Sequence, residues 1–343
     1  MKARYLVVSC IALLCLGIAA QAVTIATVPV GNAGNAGEIS GSGAGGSGPD
    51  RICGSVAYNY NIGKYEVTAG QYTEFLNAKA TVSDPYGLYS TAMTSTYGCN
   101  IQRGGGGTVP NPYTYAVASD WANRPVNYVS YWDSLRFANW LGNGQGAGST
   151  ETGAYTLGGY NGNLGGAIQR NANWKWAVTS EDEWYKAAYY KGGGPSAGYW
   201  DYPTSSNTAP GRDMADASGN NANYNTGSGP YPIDSGKYTT VVGEFQNSDS
   251  PYGTFDQGGN VWEWNEAIVY QDVNYAYRGA RGGSFNDLDV TDSLLASSRI
   301  AVYPTYEYNT VGFRVSEVVP EPSSIIALAG GLISLLSIRR RRG

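Results

Sequence analysis

The sequence predicts a body of mixed helix and strand in which loops outweigh regular structure. Three observations predict it. Capped helix starts occur at Thr68, Ser130 and Ser180, the strand signals are short, and 48 of the 343 residues are glycine, about twice the usual share. A hydrophobic content of 42%, with 13% aromatic, is enough for a packed core, so the chain as a whole is not disordered.

The first element is an export signal over residues 1–22. Lys2 and Arg4 give its positive start, residues 5–20 are mostly apolar, and Ala20-Gln21-Ala22 is an A-x-A cleavage site. Residues 23–54 follow as a Gly-rich N-terminal segment. Within it, 31–49 (GNAGNAGEISGSGAGGSGP) reads as a flexible linker, so order is expected to begin near Ser55.

Thr68 caps the first helix, with Gln71 three residues on to complete a capping box. Tyr72, Phe75 and Leu76 then form an i, i+3, i+4 apolar face. Ser130 caps the second helix with Asp133. Leu135, Ala138, Trp140 and Leu141 make its buried side, and Gly142 closes it. Ser180 caps the third with Glu183, and Trp184, Ala187 and Ala188 face inward. Glu181, Asp182 and Glu183 suit the positive end of this helix, a simpler account than a general-acid cluster. Strands are expected at 65–67 and 311–315, with weaker signals at 174–178 and 239–242. Residues 192–235 lack periodicity, and so long a stretch in a compact domain is functional, pinned by an ion or disordered.

Composition removes several chemistries. With no histidine, Ser-His-Asp triads, Cys-His pairs, three-His iron sites and His-bearing zinc sites are excluded. Losing both ends removes six of 22 basic and one of 27 acidic residues, leaving 16 against 26 and a net charge of −10. That balance argues against nucleic acid as a partner, because phosphate binding needs clustered Lys and Arg. Cys53 and Cys99 outlast the signal and are a candidate disulfide in an oxidising compartment; no C-x-x-C motif is present.

The C-terminus carries Pro320-Glu321-Pro322, an apolar run at 325–338 and a basic tip at 339–342. The run is too short to span a bilayer unaided, and flanking Ser and snorkelling Arg would extend it. This segment, 319–343, resembles the PEP-CTERM sorting signal of Gram-negative bacteria. The resemblance implies export to the cell envelope or extracellular surface, membrane contact through the tail, and an exosortase-type protease as processing partner. A plain membrane anchor is the alternative.

Six segments carry a second resemblance. They are Ile62-Gly63-Lys64-Tyr65-Glu66-Val67-Thr68, Arg124-Pro125-Val126-Asn127, Thr179-Ser180-Glu181-Asp182-Glu183-Trp184, Gly259-Asn260-Val261-Trp262-Glu263-Trp264, Arg281-Gly282-Gly283-Ser284-Phe285 and Val311-Gly312-Phe313-Arg314. In this order they resemble the formylglycine-generating enzyme, or sulfatase-modifying factor, family over 55–316. The resemblance implies an α+β fold of C-type-lectin-like kind with little regular secondary structure.

Family enzymes oxidise a sulfatase cysteine with O2 and copper held by two cysteines. The matching positions here are Thr291 and Ala296, which cannot supply the thiolates that Cu(I) wants, so copper is not expected. Calcium is. One family site maps to Asp256 and Glu263 by side chain and Gly259 and Val261 by carbonyl, hard oxygens of the kind Ca2+ accepts. A second maps to Asn223 and Asp234 by side chain and Tyr224 and Gly236 by carbonyl. The bland alternatives are an Asx turn for Asp256 and a buried ion pair with Arg281 or Arg314 for Glu263. Trp262, Ser297 and Arg299, beside the emptied copper positions, are the candidate ligand surface, for which a surface polysaccharide or a protein is the expected partner. The functional reading is a non-catalytic, calcium-stabilised binding or surface module. A formylglycine-type oxidase and a matrix structural protein are the alternatives.

Overall fold

The computed structural model describes residues 22–319, apart from 229, 230, 235 and 289. The export signal and the C-terminal sorting segment therefore lie outside the described residues, save for Ala22 and Val319. Among the described residues no helix is long and apolar enough to cross a membrane.

The N-terminal part carries β1 (Thr27–Val30), β2 (Glu38–Ser40), β3 (Arg51–Cys53) and β4 (Tyr60–Gly63), then helix α1 (Ala69–Lys79). The hairpin of β5 (Gln102–Gly104) and β6 (Thr114–Ala116) and the one-turn α2 (Ser119–Ala122) lead to α3 (Tyr131–Gly142), β7 (Trp176–Val178) and α4 (Glu181–Tyr189). The last third contains β8 (Trp262–Gln271), β9 (Ala276–Arg281), α5 (Val290–Ser293), β10 (Ile300–Val302), β11 (Val311–Phe313) and β12 (Val315–Val318).

The three capping boxes form as expected. Thr68, Ser130 and Ser180 each accept from the backbone N–H three residues on, and Gln71, Asp133 and Glu183 each reach back. Helix α3 is buried on every face. Every residue from Tyr131 to Leu141 is buried, because loops wrap the side that a surface helix would show to water. Its C-cap is Asn143, and Gly144, not Gly142, takes the left-handed conformation.

Two four-stranded sheets organise the body, in the orders β1-β4-β12-β7 and β10-β9-β8-β11. The strand expected at 311–315 is split between them. β11 pairs parallel with β8, β12 pairs antiparallel with β4 and β7, and Arg314 is the single residue between. The core between sheets and helices is aromatic. Phe137 of α3 meets Phe75 of α1, Trp140 and Phe313 at ring-centroid distances of 5.4, 5.7 and 5.4 Å. The expected α+β class is what the chain adopts.

Two expectations are corrected, the strands at 65–67 and 239–242 and the flexible N-terminal linker. Residues 65–67 and 239–242 form no strand. Their amides are spent singly, Val67 on Phe313 and Val242 on Asn123, and the neighbouring strand is β4 instead. The loop at 192–235 is held by buried side chains: Asp216 accepts from the Asn221 amide, the Asn247 N–H and the Ser248 hydroxyl. The Gly-rich N-terminus is structured well before Ser55. β1 pairs with β4, and the β2–β3 hairpin lies over α4 and the segment 296–299, with Ser40 and Cys53 fully buried. Glycine is required there by close approach: a Cβ on Gly46 would lie 2.4 Å from the Ser297 carbonyl oxygen.

Candidate functional site

The loop that enters β8 is curled by left-handed residues. Asp256, Gly259 and Asn260 have φ of 59, 82 and 60°. Asp and Asn tolerate this region better than most residues, and glycine freely. At Gly259 a Cβ would meet the Asn223 carbonyl oxygen at 2.3 Å, so only glycine fits. The Asn260 side-chain oxygen accepts from Thr240 N–H and Asn223 Nδ2, tying the curl to the preceding loop. Asp256 Oδ2 accepts the Gly243 N–H at 2.5 Å.

Glu263 leaves the curl on β8 and is fully buried. Arg314 holds it from two sides, Nε to Oε2 at 2.5 Å and Nη2 to Oε1 at 2.6 Å, and the Trp184 indole donates to Oε2. Arg314, not Arg281, is thus the partner of Glu263. The remaining Arg314 donors go to the carbonyls of Gly63 and Phe255, which join β4 to the curl.

Glu66, in the turn after β4, is buried, and neither of its carboxylate oxygens has a hydrogen-bond partner. Burial, then Asp256, then Glu263 push its carboxyl well above the usual range. Burial likewise raises Asp256 to about 7, against the pull of the Gly243 amide and Arg314. Three carboxylates therefore share one guanidinium in a place shielded from water, and such a group must take up protons or a cation. The donor set is hard oxygen, which fits Ca2+ better than any soft ion. Among the described residues no three acidic or thiol side chains gather tightly enough to cage a metal by themselves. A cation here would draw on the Gly259 and Val261 carbonyls as well, the ligand types the family resemblance implies.

The residues of the second calcium set are engaged as follows. Asp234 pairs with Arg124. Buried Asn223 spends its amide on the Tyr238 carbonyl and on Asn260, while the Tyr224 hydroxyl donates to Pro210. Gly236 is exposed with φ of 75°.

The candidate ligand surface is not one surface. Arg299 is 1% exposed. It donates to the carbonyls of Pro49 and Ser40, and its Nε lies 3.1 Å from Glu181 Oε1. Ser297 and Ala296 lie under the same N-terminal hairpin, where Gly46 packs on Ser297 and the Ala296 carbonyl accepts from Ser40 and Arg281. Trp262 belongs to the other core cluster. Thr291 falls on α5.

The sequence reading missed the partner of Trp262. Asp287, half-buried, accepts from the Trp262 indole at 2.9 Å and from the Ser284 N–H and hydroxyl at 2.8 and 2.6 Å. Its position three residues after Ser284 is the same capping geometry that marked the helices, and that spacing was the available signal.

The disulfide candidate is corrected too. Cys53 and Cys99 are free, buried and in different clusters. Cys53 Sγ accepts from Arg281 and Arg299 at 3.4 and 3.3 Å. Burial and Glu181 nevertheless push its thiol to about 11, and burial alone does the same to Cys99. The carboxylates of α4 have a further role. Burial raises Glu181, but Arg281, Arg299 and Arg51 more than offset it, so its carboxyl lies below the usual range.

Similarity to known proteins extends over most of the chain. Residues 39–318 match the model of the sulfatase-modifying factor enzyme 1-like domain, and residues 318–342 match the PEP-CTERM protein-sorting motif. No curated protein matches significantly. Among solved structures, Treponema denticola variable protein 1 is similar at 19% identity and a TM-score of 0.51, over 85% of this chain and 94% of that one. CarF is similar at 22% identity and 0.49, over 87% and 99%. PvdO from Pseudomonas aeruginosa is similar at 19% and 0.48, over 85% and 94%. The chain belongs to the sulfatase-modifying-factor, or formylglycine-generating-enzyme, family, and it ends in a PEP-CTERM sorting motif.

Proposed function

We propose that this is an exported, non-catalytic member of the family, a binding or surface module whose β8 entry loop is stabilised by Ca2+. The observation that carries the reading is the state of the copper positions. They bear Thr291 and Ala296, and Ala296 lies buried beneath the β2–β3 hairpin. The thiol nearest that segment, Cys53, is held by two guanidiniums and raised by burial, the opposite of a thiolate poised for a soft metal.

Bound Ca2+ would supply the positive charge that the buried carboxylates lack. Asp256 and Glu263 would hold it with the Gly259 and Val261 carbonyls, and Glu66 supports the reading as a neighbouring carboxylate with no other partner. Arg314 keeps Glu263 oriented and ties the curl to β4. The sorting motif supports export to the cell envelope of a Gram-negative host and processing by an exosortase-type system. The test is incubation of the copper-loaded chain with a sulfatase-type cysteine peptide under O2. The reading expects an unchanged peptide mass, and formylglycine product would overturn it.

A further inference from the structure

Tyrosines converge on one side of the second sheet. Tyr270 on β8 and Tyr277 on β9 are register partners, with ring centroids 5.6 Å apart. Tyr303 follows β10 directly and lies 4.4 Å from Tyr277, their hydroxyls 2.7 Å apart. Tyr275 touches both, at 5.9 and 4.9 Å. The row continues from Tyr303 to Tyr306 at 4.8 Å and on to Tyr308 at 5.3 Å. It ends in water at both extremes: Tyr270 is 57% exposed, and Tyr306 and Tyr308 are 42% exposed.

We infer that this tyrosine strip is a binding site for a neutral polysaccharide. Tyrosine offers a rigid apolar face and a wet hydroxyl edge at little cost in conformational entropy. A sugar ring is complementary to that combination, with C–H bonds on its face and hydroxyls on its rim. A run of linked rings can lie along a row of stacked tyrosines. Charge narrows the ligand further. Between residues 270 and 310 the only cations are Arg278, Arg281 and Arg299, all buried, and Arg278 points to Tyr131 on the inner side. The charged neighbour on the strip is the carboxylate of Asp272, which accepts the Tyr275 N–H and would repel sulfated or uronic polymers. Export brings the strip to where such polymers are.

The site is separate from the β8 entry loop. The inference rests on the binding-module reading only in that it names the ligand such a module takes.

The test uses the full chain, purified in detergent, in affinity electrophoresis through gels carrying xyloglucan, galactomannan, laminarin or alginate. Retardation by at least one neutral polymer and not by alginate is expected. Exchanging Tyr270, Tyr306 and Tyr308 together for Ala should weaken retention at least about tenfold. The same three changed to Phe should stay within about threefold, since the ring faces remain. These side chains are exposed, so both variants should melt close to the parent. No retardation by any neutral polymer, or an Ala variant retained like the parent, overturns the inference. Retention on phenyl-agarose that soluble glycan cannot compete away also overturns it, as adhesion without sugar recognition. Assaying the same preparations for formylglycine separates the two claims, because product with retention would sink the non-catalytic reading and leave the strip standing.

Discussion

Arg314 grips Glu263 with two donors while standing at the one position between β11 and β12. The pair is thus the rivet between the two sheets, and both side chains are fully buried. A buried pair of this kind adds little over an apolar substitute, but removing one partner leaves an uncompensated charge. Here Asp256 and Glu66 already crowd that charge. Arg314→Leu should therefore cost about 3–5 kcal/mol in thermal or urea denaturation. A cost below about 1 kcal/mol, typical of a surface pair, would show that the rivet is not structural.

The N-terminal hairpin should resist proteases despite its glycines. Ser40 and Arg51 engage Arg281, Arg299 and Glu181, and these contacts fix a segment whose composition alone suggests a tether. Limited proteolysis followed by mass mapping should find few cuts at 31–49 under native conditions. Rapid cleavage there with the rest intact would restore the linker reading.

Both thiols should be silent until the chain unfolds. Each is buried, and burial holds each at about 11, far from a reactive thiolate at neutral pH. Ellman titration of the exported, signal-free form should count none natively and two in guanidinium without reductant. A count of none in both conditions would mean a disulfide.

Asp133 should lend α3 a pH dependence. Burial raises its carboxyl to about 7, against the Ser130 hydroxyl bond and with a push from Glu307. The folded value lies above the unfolded one, so the native state binds the extra proton. Stability from this group is full below about pH 4 and is lost as pH rises through about 7. Asp133→Asn keeps an acceptor for the Ser130 cap and removes the charge. The variant should lose less Tm than the parent between pH 5 and 8; an equal or larger loss would contradict this assignment.

The sequence made some of this legible and not the rest, for physical reasons. Capping is local chemistry, so Thr68, Ser130 and Ser180 announced their helices. The hairpin of β8 and β9 did not announce itself, because its inward positions include Glu263, Arg278 and Arg281, each of which needs a partner outside the hairpin to offset its polarity. The separation of Arg299 from Trp262 was equally hidden. It depends on a Gly-rich hairpin folding over 296–299, held by contacts some 250 positions apart in the chain. The calcium residues were named from family likeness, whereas Glu66 emerged only from its burial without a partner.

On the proposed function, an oxidase-type scaffold here answers to a hard cation and not to a soft redox one. The most direct test is calorimetric titration of the chelator-stripped chain with Ca2+ and, separately, with Cu(I). Stoichiometric calcium binding is expected, lost in Asp256→Asn, with a stabilisation of about 2.7 kcal/mol once calcium reaches a hundredfold excess over Kd. No stoichiometric copper binding is expected. A chain indifferent to calcium, or one that binds a single copper until Cys53 is replaced, would contradict the proposed function.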